Sequence, residues 1–431
     1  MTMFDQLGLH PHILKSLNEE GYTTPTPIQL KAIPKVLEGH DLRASAQTGT
    51  GKTAAFLLPA LQLLTQPSSK GKGPRILILA PTRELAQQIA TQADKYGKYL
   101  RFAKSVCIGG GVPYPVQLRK LSKPYDILIA TPGRLIDLAE RRKVQLSCIE
   151  MLILDEADRM LDMGFVDDVE QIVSYLPQQR QTLLFSATLK GEVLKLSQRL
   201  LQNPMDIVVN ADKAKHENIE QKLHYVDNLS HKNRLLNHLL RETALHSAIV
   251  FTSTKRHADQ LVEELNEKGF LAGALHGDMS QRQRNQTLQK LRQGNIQILV
   301  ATDVAARGID VQSISHVINF DLPRNIEDYV HRIGRTGRAG AKGVALSFAS
   351  GRDADLVKKI ETFTGQPIAV VEVPGLEPQM LSTKTRRSGG RRDHKFSSKS
   401  SRFDGKQTHH KRTVHKRILT KTRKPAAGSK V

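Results

Sequence analysis

A chain of 431 residues, 39% hydrophobic and 25% charged, has room for two globular domains and a tail. Its net charge of +22 calls for an acidic partner, nucleic acid before membrane surface, and no apolar run reaches the length of a membrane-spanning helix. Cys107 and Cys148 are the only two cysteines; without metal-ligand neighbours at short spacing they exclude a zinc or iron–sulfur scaffold and suit free thiols in a reducing, cytoplasmic compartment.

Met1-Thr2-Met3-Phe4-Asp5 shows no basic stretch followed by an apolar one, so no secretory leader is expected. Short, nearly continuous apolar runs follow at Leu42–Ala46, Ile76–Ala80, Val106–Ile108, Ile127–Ala130, Met151–Leu154 and Thr182–Phe185. They have the pattern of parallel strands covered on both faces. Helical patterns such as Glu84–Lys95 and Leu189–Leu201 lie between them. Residues 1–205 therefore predict a doubly wound α/β domain, with ligands at the carboxyl ends of its strands.

The polar stretch 206–218 predicts a linker. Over 219–373 the α/β pattern repeats, with strands expected at Lys222–Val226, Ala248–Phe251, Ile296–Val300, His316–Asn319 and Gly343–Phe348. Residues 374–431 are rich in Ser, Lys, Arg, Gly and His. Such a composition cannot bury enough surface to offset its ordering entropy, so a disordered basic tail is expected. From Pro378 to Val431 the chain carries 17 Lys and Arg against 2 Asp, so +15 of the net +22 sits there.

Chemistry enters at Ala46-Gln47-Thr48-Gly49-Thr50-Gly51-Lys52-Thr53. A phosphate cradle needs backbone N–H groups converging on one hollow, and Gly49 and Gly51 allow that shape. Lys52 is placed to reach the β- and γ-phosphates, and the Thr53 hydroxyl to bind Mg²⁺. The strict pattern has glycine where this chain has Ala46. Downstream, Asp155-Glu156-Ala157-Asp158 directly follows the apolar Met151–Leu154. A carboxylate at the end of a buried strand suits Mg²⁺ held through water, and Glu156 beside it can orient and deprotonate the attacking water. In the second half, His331-Arg332-Ile333-Gly334-Arg335-Thr336-Gly337-Arg338 presents arginines suited to the charge on a transferring phosphoryl group. The second half has no phosphate loop of its own, so it would complete the first half's site by closing on it.

These residues resemble the DEAD-box RNA helicases, and the resemblance runs through nearly all of 4–373. It implies two tandem RecA-like domains, ATP as the substrate nucleotide with Mg²⁺, and RNA as the partner. Gly21–Gln29 is similar to the family's Q motif, which implies that Gln29 reads the adenine edge and that Phe4 stacks on it. Residues 46–53, Thr48 and Thr50 included, match the family's phosphate loop with its alanine. Pro81–Ala86, Gly109-Gly110 and Thr131–Arg134 are similar to its RNA-contacting motifs. Ser186-Ala187-Thr188 resembles the motif coupling hydrolysis to strand separation, with Asp158 implied to bond across to it. Ala301–Asp310 implies that Asp310 holds the ribose. His331–Arg338 matches the arginine-finger motif, which implies that Arg335 and Arg338 touch the γ-phosphate while His331 orders the water. Within the family the chain resembles the bacterial RhlE-type group, with SrmB-like stretches such as Arg159–Phe165.

On the RNA side, Thr82, Arg83, Gly110, Thr131 and Arg134 fall at strand ends or the loops after them, with Arg284 and Thr302 expected to act alike from the second half. Backbone N–H, hydroxyl and guanidinium groups suit phosphate oxygens, so binding is expected to be sequence-tolerant and salt-sensitive. With no tryptophan and 5% aromatics, base stacking is not the main grip. The resemblance implies local parting of short duplexes on ATP-driven domain closure, not long-range translocation. Expected settings are ribosomal precursor particles or RNA-decay machinery, with the chain a monomer. Two rivals are an RNA clamp or annealing factor worked by the tail, and a DNA helicase of a related class. The complete catalytic set weighs against the first, and the lack of cysteines for a zinc module against the second.

Overall fold

The computed structural model describes residues 3–46, 49–67, 73–209, 218–242, 247–306, 314–337 and 341–379. Among the described residues, two seven-stranded sheets carry the fold. The first contains β1 (Leu42–Ser45), β2 (Ile76–Leu79), β3 (Ser105–Ile108), β4 (Ile127–Ala130), β5 (Met151–Leu154), β6 (Gln181–Ser186) and β7 (Met205–Val208), in the order β3-β4-β2-β5-β6-β1-β7. The second contains β8 (Ile219–Tyr225), β9 (Ala248–Phe251), β10 (Ala272–Leu275), β11 (Ile298–Ala301), β12 (His316–Asn319), β13 (Gly343–Ala349) and β14 (Ala369–Val370), in the order β10-β11-β9-β12-β13-β8-β14. All pairings are parallel. Strand for strand, the second order repeats the first.

The continuous apolar runs explain this architecture. Every residue of β2, β4 and β5 is buried. Successive side chains point to opposite faces: Ile76 and Ile78 pack with Ile33, Leu57, Leu61 and Ile89 from helices on one face, while Leu77 and Leu79 pack with Leu135, Met160 and Ile172 on the other. Helices Pro27–Leu37, Lys52–Leu64 and Arg83–Tyr96 supply the first of these layers. The sheet order also positions the site. β5, β6 and β1 are neighbours, so the ends of β5 at Leu154, β6 at Ser186 and β1 at Ser45 lie side by side.

Three short strands depart from the sequence expectation. Asp206–Val208, expected as the start of the linker, belong to β7, which pairs with β1. β7 buries only Ile207, so its apolar signal is weak. β10 is Ala-Gly-Ala-Leu and β14 has two residues; neither carries a run of large apolar side chains. The expected tail is also shortened at its start. Leu376 packs against the core of the second half, its carbonyl meets His231 Nε2 at 2.8 Å, and Gln379 N–H donates to Asp227 Oδ2 at 3.0 Å. Residues 380–431 lie outside the described residues.

Candidate active site

β1 leads into Ala46, whose N–H donates to the Ser186 carbonyl at 3.0 Å. Gln47 and Thr48 lie outside the described residues. Gly49 and Gly51 are left-handed, at φ +76° and +91°, and helix Lys52–Leu64 starts immediately after. At Gly51 a Cβ would lie 2.5 Å from Gln29 Nε2, so close approach as well as backbone angle requires glycine. Thr50 is buried and Thr53 half-buried. Lys52 is 6% exposed, and its Nζ has no hydrogen-bond partner. A buried ammonium that makes no hydrogen bond, at a helix N-terminus, fits an anionic group, and a phosphate above all.

Gln29 is buried beneath this loop. Its Oε1 accepts from Thr26 N–H at 2.9 Å, and its Nε2 donates to the Gly51 carbonyl at 3.1 Å. It is therefore a brace of the phosphate loop. Phe4 departs from expectation. It is 0% exposed, sealed in the core of the first half, and offers no ring face to a base in this structure. The same apolar ring that could stack on adenine has been drawn into the core.

At the end of β5, Asp155 is 3% exposed. Burial pushes its carboxyl well above the usual carboxylate range; nearby Lys52 pulls it down, while Glu156 and Asp158 push it further up. Acids crowded at one buried point favour a cation, so the donor set fits Mg²⁺. Among the described residues no group of three or more His, Cys, Asp and Glu forms a metal site by itself. Glu156 is 8% exposed and left-handed, at φ +52° and ψ +52°, a conformation costing about 1–3 kcal/mol for a residue with a side chain. Asp158 Oδ2 accepts from Ala187 N–H at 3.1 Å, and Ser186 Oγ accepts from Thr188 N–H at 3.3 Å. The acid motif is thus tied to the segment that follows β6.

In the second half, helix Ile326–Ile333 carries His331 and leads to Arg335, and both are buried. Arg332 is held by its surroundings. Its Nε and Nη2 reach the two Asp303 oxygens at 2.5 and 2.7 Å, and its Nη1 reaches Asn319 Oδ1 at 3.1 Å and the Asp321 carbonyl at 2.5 Å. Arg338 and Asp310 lie outside the described residues.

The expected RNA residues gather at strand ends of the first half. Thr82 caps helix Arg83–Tyr96, its Oγ1 accepting from Leu85 N–H at 3.3 Å. Arg83 Nη1 donates to the Gly110 carbonyl at 2.6 Å. Gly111, at φ +74°, lies under the Arg83 guanidinium, where a Cβ would collide with Nη1. Gly110 faces open space. Gln117, which the sequence did not single out, is 1% exposed and braces this loop from inside: Oε1 accepts from Gly109 N–H at 3.0 Å, and Nε2 donates to the Val112 carbonyl at 2.8 Å. Arg134 stacks over Tyr114, 4.3 Å from the ring centre. Thr131 is the N-cap of helix Pro132–Glu140 without a side-chain cap bond. Burial lowers the Arg83 pKa, with Glu84 opposing and the charges of Arg284 and Arg134 lowering it further. This mutual repulsion of guanidiniums would be relieved by a polyanion.

Arg284 and Thr302 belong to the second half. Thr302 is half-buried after β11. Arg284 corrects the expectation of an open RNA contact. It is 5% exposed, with Nε 2.9 Å and Nη2 2.8 Å from Glu84 Oε1 of the first half. Its nitrogens also approach the His276 and Ala305 carbonyls at 3.4 and 3.3 Å. A buried guanidinium needs a counter-charge, and Glu84 supplies it. A second pair crosses between the halves: Arg159 Nη1 meets Asp328 Oδ1.

Fold and site together define a two-sheet nucleoside triphosphatase with a phosphate loop in its first half. The DEAD/DEAH box helicase family model matches residues 26–196, and the helicase conserved C-terminal domain matches 231–340. The ATP-dependent RNA helicase SrmB of Haemophilus influenzae is 44% identical over 89% of this chain and 88% of its own length. SrmB of Escherichia coli is 43% identical over 90% of this chain and 88% of its own. The structure of S. cerevisiae Dbp5 bound to RNA and ADP BeF3 is similar with a TM-score of 0.77, at 32% identity, over 86% of this chain and 96% of that one. The chain belongs to the DEAD-box ATP-dependent RNA helicases.

Proposed function

We propose that the chain works as an RNA-dependent ATPase whose two halves, 1–205 and 219–373, close on ATP and the RNA backbone and locally part short duplexes. The carrying observation is the buried Lys52 ammonium, which makes no hydrogen bond at the head of its helix, in one folded unit with the like-charged Arg83 and Arg134. The first wants a phosphate and the second a polyanion.

In this reading the loop Thr48–Thr53 cradles the phosphates and Lys52 neutralises them. Mg²⁺, held by Asp155 and Thr53 with phosphate oxygens and water, would supply charge neutralisation on the transferring group. Glu156 takes the proton of the attacking water, which His331 helps to order. Arg335 and Arg338 meet the γ-phosphate, and Asp310 the ribose. Gln29 acts on nucleotide through the loop it braces. Thr82, Arg83, Gly110, Thr131, Arg134 and Thr302 meet RNA phosphates. Asp158, Ser186 and Thr188 join the two events.

We assign the RhlE-type group and a role on ribosomal precursors or decaying RNA from the motif resemblance, with the +15 of Pro378–Val431 as a general draw to RNA. A monomer in the cytoplasm completes the reading, supported by two free cysteines. Among the described residues no helix is long and apolar enough to cross a membrane.

The test is steady-state ATP hydrolysis by wild type and Glu156→Gln, each alone, with single-stranded RNA, and with DNA of the same sequence. Stimulation by RNA alone, lost in the variant, is expected. Equal stimulation by DNA would favour the DNA-helicase rival, and turnover indifferent to nucleic acid would sink the RNA coupling.

A further inference from the structure

Arg159 follows the acid motif directly, on the short helix Ala157–Asp162 that Glu156 caps. It is 2% exposed. Within its own half its guanidinium has one hydrogen-bonded carboxylate, Asp162, at 3.5 Å, and its Nη2 has no hydrogen-bond partner. Its close partner comes from the other half, 169 residues away: Asp328, 7% exposed. Asp328 lies three residues before His331 and seven before Arg335, on helix Ile326–Ile333 and the turn beyond it. The pair therefore ties a point one turn from Glu156 to a point one turn from His331. Both partners, with His331, Arg332 and Arg335, line one cleft.

We propose that Arg159 and Asp328 are positioning residues, whose pairing sets Glu156 against His331 and Arg335 and so makes ATP turnover depend on closure of the halves. The inference rests on the RNA-dependent ATPase reading and deepens it. When the halves part, Arg159 loses Asp328, the carboxylate nearest its guanidinium, and keeps Asp162 at 3.5 Å as its hydrogen-bonded carboxylate. A charge left so favours the paired state. Closure thereby gains a geometric reference one helical turn from each side of the reaction, though neither residue touches the nucleotide.

The experiment is a double-mutant cycle on the full chain with Arg159→Met, Asp328→Asn and the double variant. It measures ATP turnover against RNA concentration, single-stranded RNA binding without nucleotide, and thermal melting. Each single substitution should lower RNA-stimulated kcat about 10- to 100-fold. The double should fall no lower than the worse single, since both remove one interaction. RNA binding without nucleotide should be unchanged, which a general loss of structure would not allow. If Arg159→Met folds poorly, Arg159→Lys, which keeps charge and loses the planar fork, should give an intermediate kcat with wild-type melting. Additive losses, or full RNA stimulation in either single variant, would overturn the pair while leaving the ATPase reading intact. A wild type without RNA stimulation would overturn both.

Discussion

The Gln29 side-chain amide donates to the Gly51 carbonyl at 3.1 Å, and so joins the segment before the first sheet to the last turn of the phosphate loop. The same amide's oxygen accepts from Thr26 N–H, which leaves the side chain little freedom. In the proposed reading, Gln29 acts on nucleotide through Gly51, 22 positions further along the chain.

Gln29→Ala should raise the KM for ATP more than it lowers kcat. Removing a buried side-chain bond to a loop carbonyl costs about 1–3 kcal/mol, which sets the rise at about tenfold. Gly51→Ala should do more damage, because it combines a left-handed backbone with a clash against Gln29. Steady-state kinetics at saturating RNA would decide; an unchanged KM in Gln29→Ala would remove the brace from nucleotide binding.

Arg284 and Arg134 should separate in a salt titration. For single-stranded RNA each phosphate contact contributes about 0.7 to the slope of log affinity against log salt. Arg134→Met should lower that slope by about this amount in the absence of nucleotide. Arg284→Met should leave it unchanged, because Glu84 already occupies the guanidinium. An equal loss of slope in both variants would return Arg284 to the RNA surface.

Asp321 offers a pH test in the second half. Burial alone would raise its carboxyl, but His257, Lys232 and the Ser253 N–H outweigh it and hold the group well below the usual carboxylate range. Its folded pKa is depressed, so its stabilisation is present above the unfolded value of about 4 and lost as pH falls below that. Asp321→Asn should destabilise the chain by about 1–3 kcal/mol at pH 7. The gap to wild type should shrink at pH 3 in thermal melts; a constant gap would mean that shape, and not charge, carries the effect.

β2, β4, β5, β9 and β11 were legible because each is a short, uninterrupted apolar run, as a sheet covered on both faces buries. β7, β10 and β14 were not, since an exposed Asp206, a glycine at 273 and a two-residue pairing leave no periodic trace. The phosphate loop and the Asp155-Glu156 pair were legible for a different reason. Their chemistry depends on residues adjacent in sequence. The pairs Arg159–Asp328 and Glu84–Arg284 join positions 169 and 200 residues apart, so nothing local marks them. Arg284 misled for the same reason, because its carboxylate partner lies in the other half of the chain. Phe4 misled because an aromatic ring suits a core as well as a base.

The two sheets share one strand order, yet the equivalent of β1 in the second, β8, runs into Val226-Asp227-Asn228 and helix Leu229–Glu242, without a glycine-rich turn. In the proposed reading, a twofold scaffold therefore carries one phosphate loop. Titration of the chain with ATP should reach its end point at one molecule per polypeptide, and the free energy of one phosphoanhydride bond bounds what each opening and closing can do to an RNA.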